Sequence, residues 1–182
     1  MKRAILVPPV LAPGALAELK NWLAISTAQD DLTLLALLGS ALDTCEAFTR
    51  TIPLMVEAEE ILSANRAWQC LSSLPVHAIT QVDELRPDGS RTPLATGAYA
   101  IELEADGTAR LRLLSPAVTG RLAVRITAGV AASWEALPDG LRHGIIRLAA
   151  HYYRQRDNAE ANPSPPAAIA ALWSPWRRIR LI

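Results

Sequence analysis

The chain has 182 residues, 51% of them hydrophobic and 20% charged, with 18 Lys plus Arg against 18 Asp plus Glu. A chain of this length and composition can bury its own core, which excludes wholesale disorder. The zero formal net charge argues against a free-standing nucleic-acid binder, which usually carries a basic excess, and tolerates self-association.

The N-terminal "MKRAILVPPVLAPGALAELK" starts basic and then apolar, but Pro8, Pro9 and Pro13 interrupt the run. That pattern predicts an extended lead-in rather than a signal peptide. "ALAELKNWLAI" reads as a short helix with Leu16, Leu19 and Leu23 on one side. In "STAQDD", Ser26 or Thr27 is placed to cap the next helix, and Asp30 and Asp31 suit its positive end. "DLTLLALLGSALDTCEAFTR" is the most periodic segment. At 100° per residue, Leu34, Leu38, Ala41, Cys45 and Phe48 form one stripe, flanked by Leu35 and Leu42, with Asp43, Glu46 and Arg50 opposite. No stretch is expected to reach a membrane span of about 20 apolar residues. Cys45 and Cys70 lie in no CxxC pattern and are expected as reduced thiols.

From about 54 to 128 the period changes. "LMVEAEEIL", "AWQCLSS", "VHAITQVDELR", "GAYAIELE", "ARLRLL" and "RLAVRITAG" alternate with a period near two. They predict an antiparallel sheet of five or six short strands, with Asp106-Gly107 as the clearest hairpin turn. A last long helix is expected from about Pro138 to Asp157. Leu141, Ile145, Leu148 and Tyr152 share its apolar side, and Ile146, Ala149 and Tyr153 widen it enough to suggest a second packing surface. His143, Arg147, His151 and Arg154 fall opposite, either as a solvated face or as a surface facing DNA or an acidic partner. "DNAEANPSPP" then reads as a linker, followed by an ending without acidic residues, "AAIAALWSPWRRIRLI". Trp173, Trp176 and Leu181 are costly to leave in water, and Trp and Arg are typical interface anchors. The ending therefore folds back on the core, docks on a partner or anchors at a membrane.

No catalytic constellation emerges. There is no GxSxG elbow, and Ser72-Ser73 lacks glycine framing. His77, His143 and His151 match no ligand spacing; the last two stand two turns apart with Arg147 between them. Neither a metal nor a cofactor is expected. Glu59-Glu60 and Asp83-Glu84 are neighbours that point to opposite strand faces, so they are expected on a solvated edge rather than in a shared acid–base site.

"AELKNWLAI", "QDDLTLLALLGSALDTCEAFTR", "LPVHAITQVDELRPDGSRTPL", "AYAIE", "RLAVRITAG" and above all "ITAG" followed by "LPDGLRHGIIRLAAHYYRQRD" resemble, in this order, the head-tail connector proteins of long-tailed phages and phage-like gene transfer particles. The resemblance runs from about Leu16 to Asp157. It implies an α+β fold: a helical bundle of two N-terminal helices plus a long C-terminal one, a small antiparallel β region and an extended C-terminal arm. In domain terms it implies an adaptor body over 1–157 (helices about 15–50 and 138–157, β region about 54–128) and a linker and docking arm over 158–182. It implies a non-enzymatic virion protein, made in the bacterial cytoplasm and placed at the head–tail junction. Twelve copies would ring the DNA channel beneath the portal, contacting a tail-side completion or stopper protein, with DNA passing without sequence specificity and no membrane involved. The portal-docking arm would use Trp173, Trp176, Arg177, Arg178, Arg180 and Leu181. Loops near Arg86–Arg91 and Asp106-Gly107 would face the tail side or a neighbour. The competing reading is a nucleic-acid-binding module that uses the basic face of the last helix.

Overall fold

The computed structural model describes residues 2–155 and 164–178. The fold is α+β, as expected, with eight strands and four α-helices among the described residues. Contacts divide the chain into a β unit, Met1–Pro9 with Met55–Gly129, and a helical unit, Val10–Leu54 with Val130–Ile182. This differs from the expected single body over 1–157 with a separate arm.

In the β unit, β1 (Lys2–Val7), β2 (Val56–Ser63), β4 (Val76–Leu85), β5 (Arg91–Pro93) and β8 (Arg121–Ala128) form one antiparallel sheet in the order β1-β2-β8-β4-β5. A second sheet joins β3 (Gln69–Cys70), β7 (Ala109–Leu113) and β6 (Tyr99–Leu103) in the order β3-β7-β6. The alternation of β7, with Ala109, Leu111 and Leu113 buried, gives the second sheet one apolar face. Val56, Ala58, Leu62, Leu122, Val124 and Ile126 give the first sheet its own. Gly107 takes φ 83° at the β6–β7 turn, and a Cβ there would meet Pro75 at 2.2 Å, so the position needs glycine twice over.

Two expectations change here. The lead-in is a strand: Arg3 pairs with Glu60 and Ile5 with Ala58 in register. The carboxylate pairs do not lie on a solvated edge, because β2 and β4 are interior strands. Glu59, Glu60, Asp83 and Glu84 are all buried.

The helical unit contains α1 (Pro13–Leu23), α2 (Asp31–Thr49), α3 (Asp139–Arg154) and α4 (Ala167–Trp173), which runs into a 3-10 turn over Ser174–Trp176. Leu34, Leu38, Ala41 and Cys45 of α2 meet Leu141, Ile145, Leu148 and Ala149 of α3 in one core, with Ala15 and Leu19 from α1. By length and composition α2 would pass for a membrane span, contrary to expectation. It packs instead as a core helix with six buried residues. Its N-terminus is not capped by Ser26 or Thr27: Asp30 is the cap residue and makes no capping hydrogen bond. Asp30 accepts from Tyr153 Oη at 2.6 Å, and Asp31 pairs with Lys20 Nζ at 2.6 Å. Both acids therefore tie helices together.

Candidate interaction surfaces

α3 carries most of what the sequence singled out. Its wide apolar face needs no second subunit: α1, α2 and α4 cover it within the helical unit. Leu141, Gly144, Ile145, Ile146, Leu148, Ala149 and Ala150 are all buried. On the other side His143, Arg147 and His151 are half-buried, and Arg154 is exposed. His143 is not free: its ring meets Trp22 of α1 edge-on at 5.2 Å. His151 lies 6.4 Å from the ring of Tyr152. Arg147 and Arg154 make no ion pair among the described residues, whereas Arg142 between them and the helix start pairs with Asp139 at 2.9 Å. The stripe is thus a mixed aromatic and basic surface rather than a free helix face of the groove-reading kind.

The C-terminal segment departs furthest from expectation. α4 is packed into the helical unit, and Trp173 is completely buried there. Its Nε1 points to Leu141 O at 3.4 Å, and its ring lies 6.0 Å from Phe48. Trp173 is therefore a core residue, not a docking contact; a buried indole with its N–H directed at a carbonyl has nothing left to offer a partner. The space for it comes from glycine. A Cβ on Gly144 would stand 2.2 Å from Trp173 Nε1, and a Cβ on Gly140 would stand 2.7 Å from the Trp176 ring. Two glycines four residues apart on one helix face thus receive two tryptophans three residues apart. The sequence signal was present in "PDGLRHG": glycine inside a helix costs about 1 kcal/mol relative to alanine unless something approaches closely.

Trp176 is half-buried and Arg177 lies over the Phe48 ring at 5.1 Å. The backbone N–H of Arg178 donates to Thr49 O at 2.9 Å. Arg180 and Leu181 lie outside the described residues.

The β unit holds an ion-pair lattice that sequence reasoning missed. Arg91 donates to Glu59 from both terminal nitrogens, at 2.6 and 3.0 Å. Arg125 approaches the same carboxylate at 3.6 Å and donates to Gln81 Oε1 at 3.3 Å, while Gln81 donates to Asp83 at 2.7 Å. The hydrogen bonds from Arg91 hold the Glu59 carboxyl below the ordinary carboxylate range, against its burial. Glu60, on the opposite face, accepts from the amides of Ser72 and Ser73 at 2.9 and 2.7 Å and so pins that loop. These carboxylates are each engaged in structure, on opposite faces. The proposed tail-side loop 86–91 is likewise anchored through Arg91. His77 Nε2–H donates to Gly129 O at 2.6 Å. No group of three metal-ligating side chains occurs among the described residues. Burial pushes the Cys45 thiol up to about 12, the opposite of an activated cysteine.

No protein-family model and no curated protein matches the sequence. Solved structures do. A chain in the neck of an empty GTA particle, computed with C6 symmetry, matches with a TM-score of 0.82 and 28% identity, covering 100% of this chain and 98% of that one. The chain is similar to a gene transfer agent neck protein. A chain of the native gene transfer agent virion matches at a TM-score of 0.79 and 29% identity, again over 100% and 98%. In the neck of a native GTA particle computed with C12 symmetry, a chain matches at 0.74 and 29%, over 98% of both. The likeness to the first two of these chains spans both units, including α4.

Proposed function

We propose that this chain is the head–tail adaptor of a gene transfer agent: a structural virion protein of the neck, with no enzymatic role. The observation that carries the proposal is the end-to-end likeness to a GTA neck chain at a TM-score of 0.82 with 28% identity. Chance resemblance of a common small fold does not extend over two units and a terminal helix at that identity. The rotational symmetry of the similar necks supports a closed ring, with twelve copies as the number suggested by the C12 structure. In this reading the ring lies beneath the portal protein, extends the DNA channel and offers its far side to a tail-side completion or stopper protein. Arg147 and Arg154, without acidic partners among the described residues, fit a surface that attracts passing DNA without reading sequence. His143 and His151 belong to the same surface. Portal contact falls to the outer side of the C-terminal segment, Trp176, Arg177 and Arg178, and to the last residues, Arg180 and Leu181 among them.

Affinity capture from particle-producing cells tests this. The full chain is compared with one ending at Arg178, which keeps α4 and Trp173 in place. Capture of portal protein by the full chain, weakened on shortening and abolished only when Trp176, Arg177 and Arg178 are also replaced by Ala, is the expected result. Capture of nucleic acid alone, with no virion protein, would contradict the adaptor reading.

A further inference from the structure

The carboxylates of the β unit are almost all engaged within it. Glu59 is held by Arg91 and Arg125, Glu84 by Arg86 and the Thr119 amide, and Glu102 and Glu104 share Arg110 at 2.9 and 2.8 Å. Glu60 accepts from the Ser72 and Ser73 amides, Asp83 from Gln81, Asp88 from Ser90 and Asp106 from Thr108. Among the described residues of the unit, Glu57 is the carboxylate left without a hydrogen bond or ion pair. It is exposed on β2, in register between Val7 of β1, itself 49% exposed, and Thr127 of β8. Arg112 of β7 is its counterpart among the cations. The Arg112 guanidinium lies 4.6 Å from the centre of the Trp68 ring, its Nε is buried without an acceptor, and it pairs with no carboxylate among the described residues. The Nε atoms of Arg110 and Arg125 also lack a hydrogen bond, but both side chains have carboxylates of their own. Arg121 is unpaired too, yet it is exposed and no ring holds it. Beyond Arg112, Leu114 is 42% exposed, and its carbonyl accepts from Arg66 at 3.2 Å. A half-buried guanidinium fixed on an indole, with no anion of its own, is preorganised to receive a carboxylate.

We infer that Glu57 of one copy pairs with the Trp68-stacked Arg112 of the next, a contact that rests on the ring proposed above. Charge selects a second copy as the occupant. The unit's unpaired acid and its ring-held unpaired arginine stand on different sheets, on β2 and β7, so one copy leaves both open. A head-to-tail contact brings them together at every seam and leaves neither over when the ring closes. Each charge also has an exposed apolar residue close by, Val7 beside Glu57 and Leu114 two residues from Arg112. Burying these at the seam removes water from the ion pair and strengthens it. A nucleic acid fits the Arg112 surface less well. Glu102 pairs in register with Arg110, one pair along from Ala100 and Arg112, and together with Glu104 it would repel a run of phosphates where it would tolerate a single carboxylate.

The test is charge reversal, read as the amount of full-length chain in purified particles against the amount in the cells that produce them. Glu57→Arg alone and Arg112→Glu alone each set like charges together at every seam, and each should be lost from particles. Co-expressed, the two single variants should return together in equal amounts. In an alternating ring Arg at 57 meets Glu at 112 of one neighbour, and the native Glu57 and Arg112 meet at the next seam. A ring of twelve admits that alternation. Glu57→Gln and Arg112→Gln remove a charge without reversing it and should stay in particles, which separates the seam from the lost stacking on Trp68. Entry of either reversed variant alone at the level of the unsubstituted chain would overturn the pair. Failure of the co-expressed variants to return would also overturn it, whether or not the Gln variants enter, and would leave the adaptor reading intact. Absence of the unsubstituted chain from particles would remove both readings.

Discussion

Gly144 and Trp173 compete for one volume, and that competition fixes what the C-terminal segment is. Replacing Gly144 by Ala puts a methyl 2.2 Å from the indole nitrogen and forces α4 or the ring to move. Overpacking of this kind costs about 1–3 kcal/mol, which outweighs the roughly 1 kcal/mol that alanine gains in a helix. Denaturant unfolding should therefore show Gly144→Ala as less stable. Trp173→Ala empties the same site and should cost about 3–5 kcal/mol. The two cysteines should separate in the native protein: Cys45 is buried with its thiol pushed up to about 12, and Cys70 is half-buried. A thiol reagent at pH 8 should label Cys70 promptly and Cys45 only after unfolding. Equal, fast labelling of both would mean that the α2–α3 core is loose.

Glu59 sets the response to acid. Its folded-state carboxyl titrates below the ordinary range because Arg91 holds the charged form. A depressed folded pKa gives stability that is present above the unfolded value and lost as pH falls through the folded one. The stability of the wild type should thus decline from about pH 5 downward more steeply than that of Glu59→Gln, while near pH 7 the variant is the weaker of the two. Parallel pH profiles would show that the Arg91–Glu59 pair contributes nothing.

At the scale of elements, α4 is part of the helical unit's core. A chain ending at Ser164 loses Ile169 and Trp173 together and should unfold at lower denaturant concentration, whereas one ending at Arg178 should keep the full midpoint. The contrast matters for any capture experiment, because the shorter truncation confounds lost contact with lost fold. Elements also differ in how plainly the sequence announces them. α2 and α3 are legible because the 3.6-residue period of their apolar residues is itself the packing rule, and Leu34, Leu38, Ala41 and Cys45 are buried as the stripe requires. The β6–β7 turn is legible because Asp106-Gly107 is local chemistry. β1 is not: its strand state depends on β2, fifty residues away, and three prolines mask it. The carboxylates of β2 and β4 looked exposed because alternation shows which residues share a face but not how many strands flank them. Trp173 looked available because its partner is not an apolar side chain but the absence of one, at Gly144.

For the whole molecule, the two units answer different needs of a neck protein. The helical unit is covered by its own helices and leaves an aromatic and basic surface around Trp22, His143, Arg147 and Arg154. The β unit leaves Ile5 on β1 and Ile101 and Leu103 on β6 exposed at the edges of its two sheets. In the proposed ring weak contacts would act together, since each copy would add to the avidity for the same portal without any single strong site. The most direct measurement of the adaptor role is electron cryomicroscopy of particles from cells that produce this chain. A ring of this fold between head and tail, with α4 packed on its own copy, is the predicted result. Complete particles whose necks are built from another chain, with this one absent from the map, would contradict it.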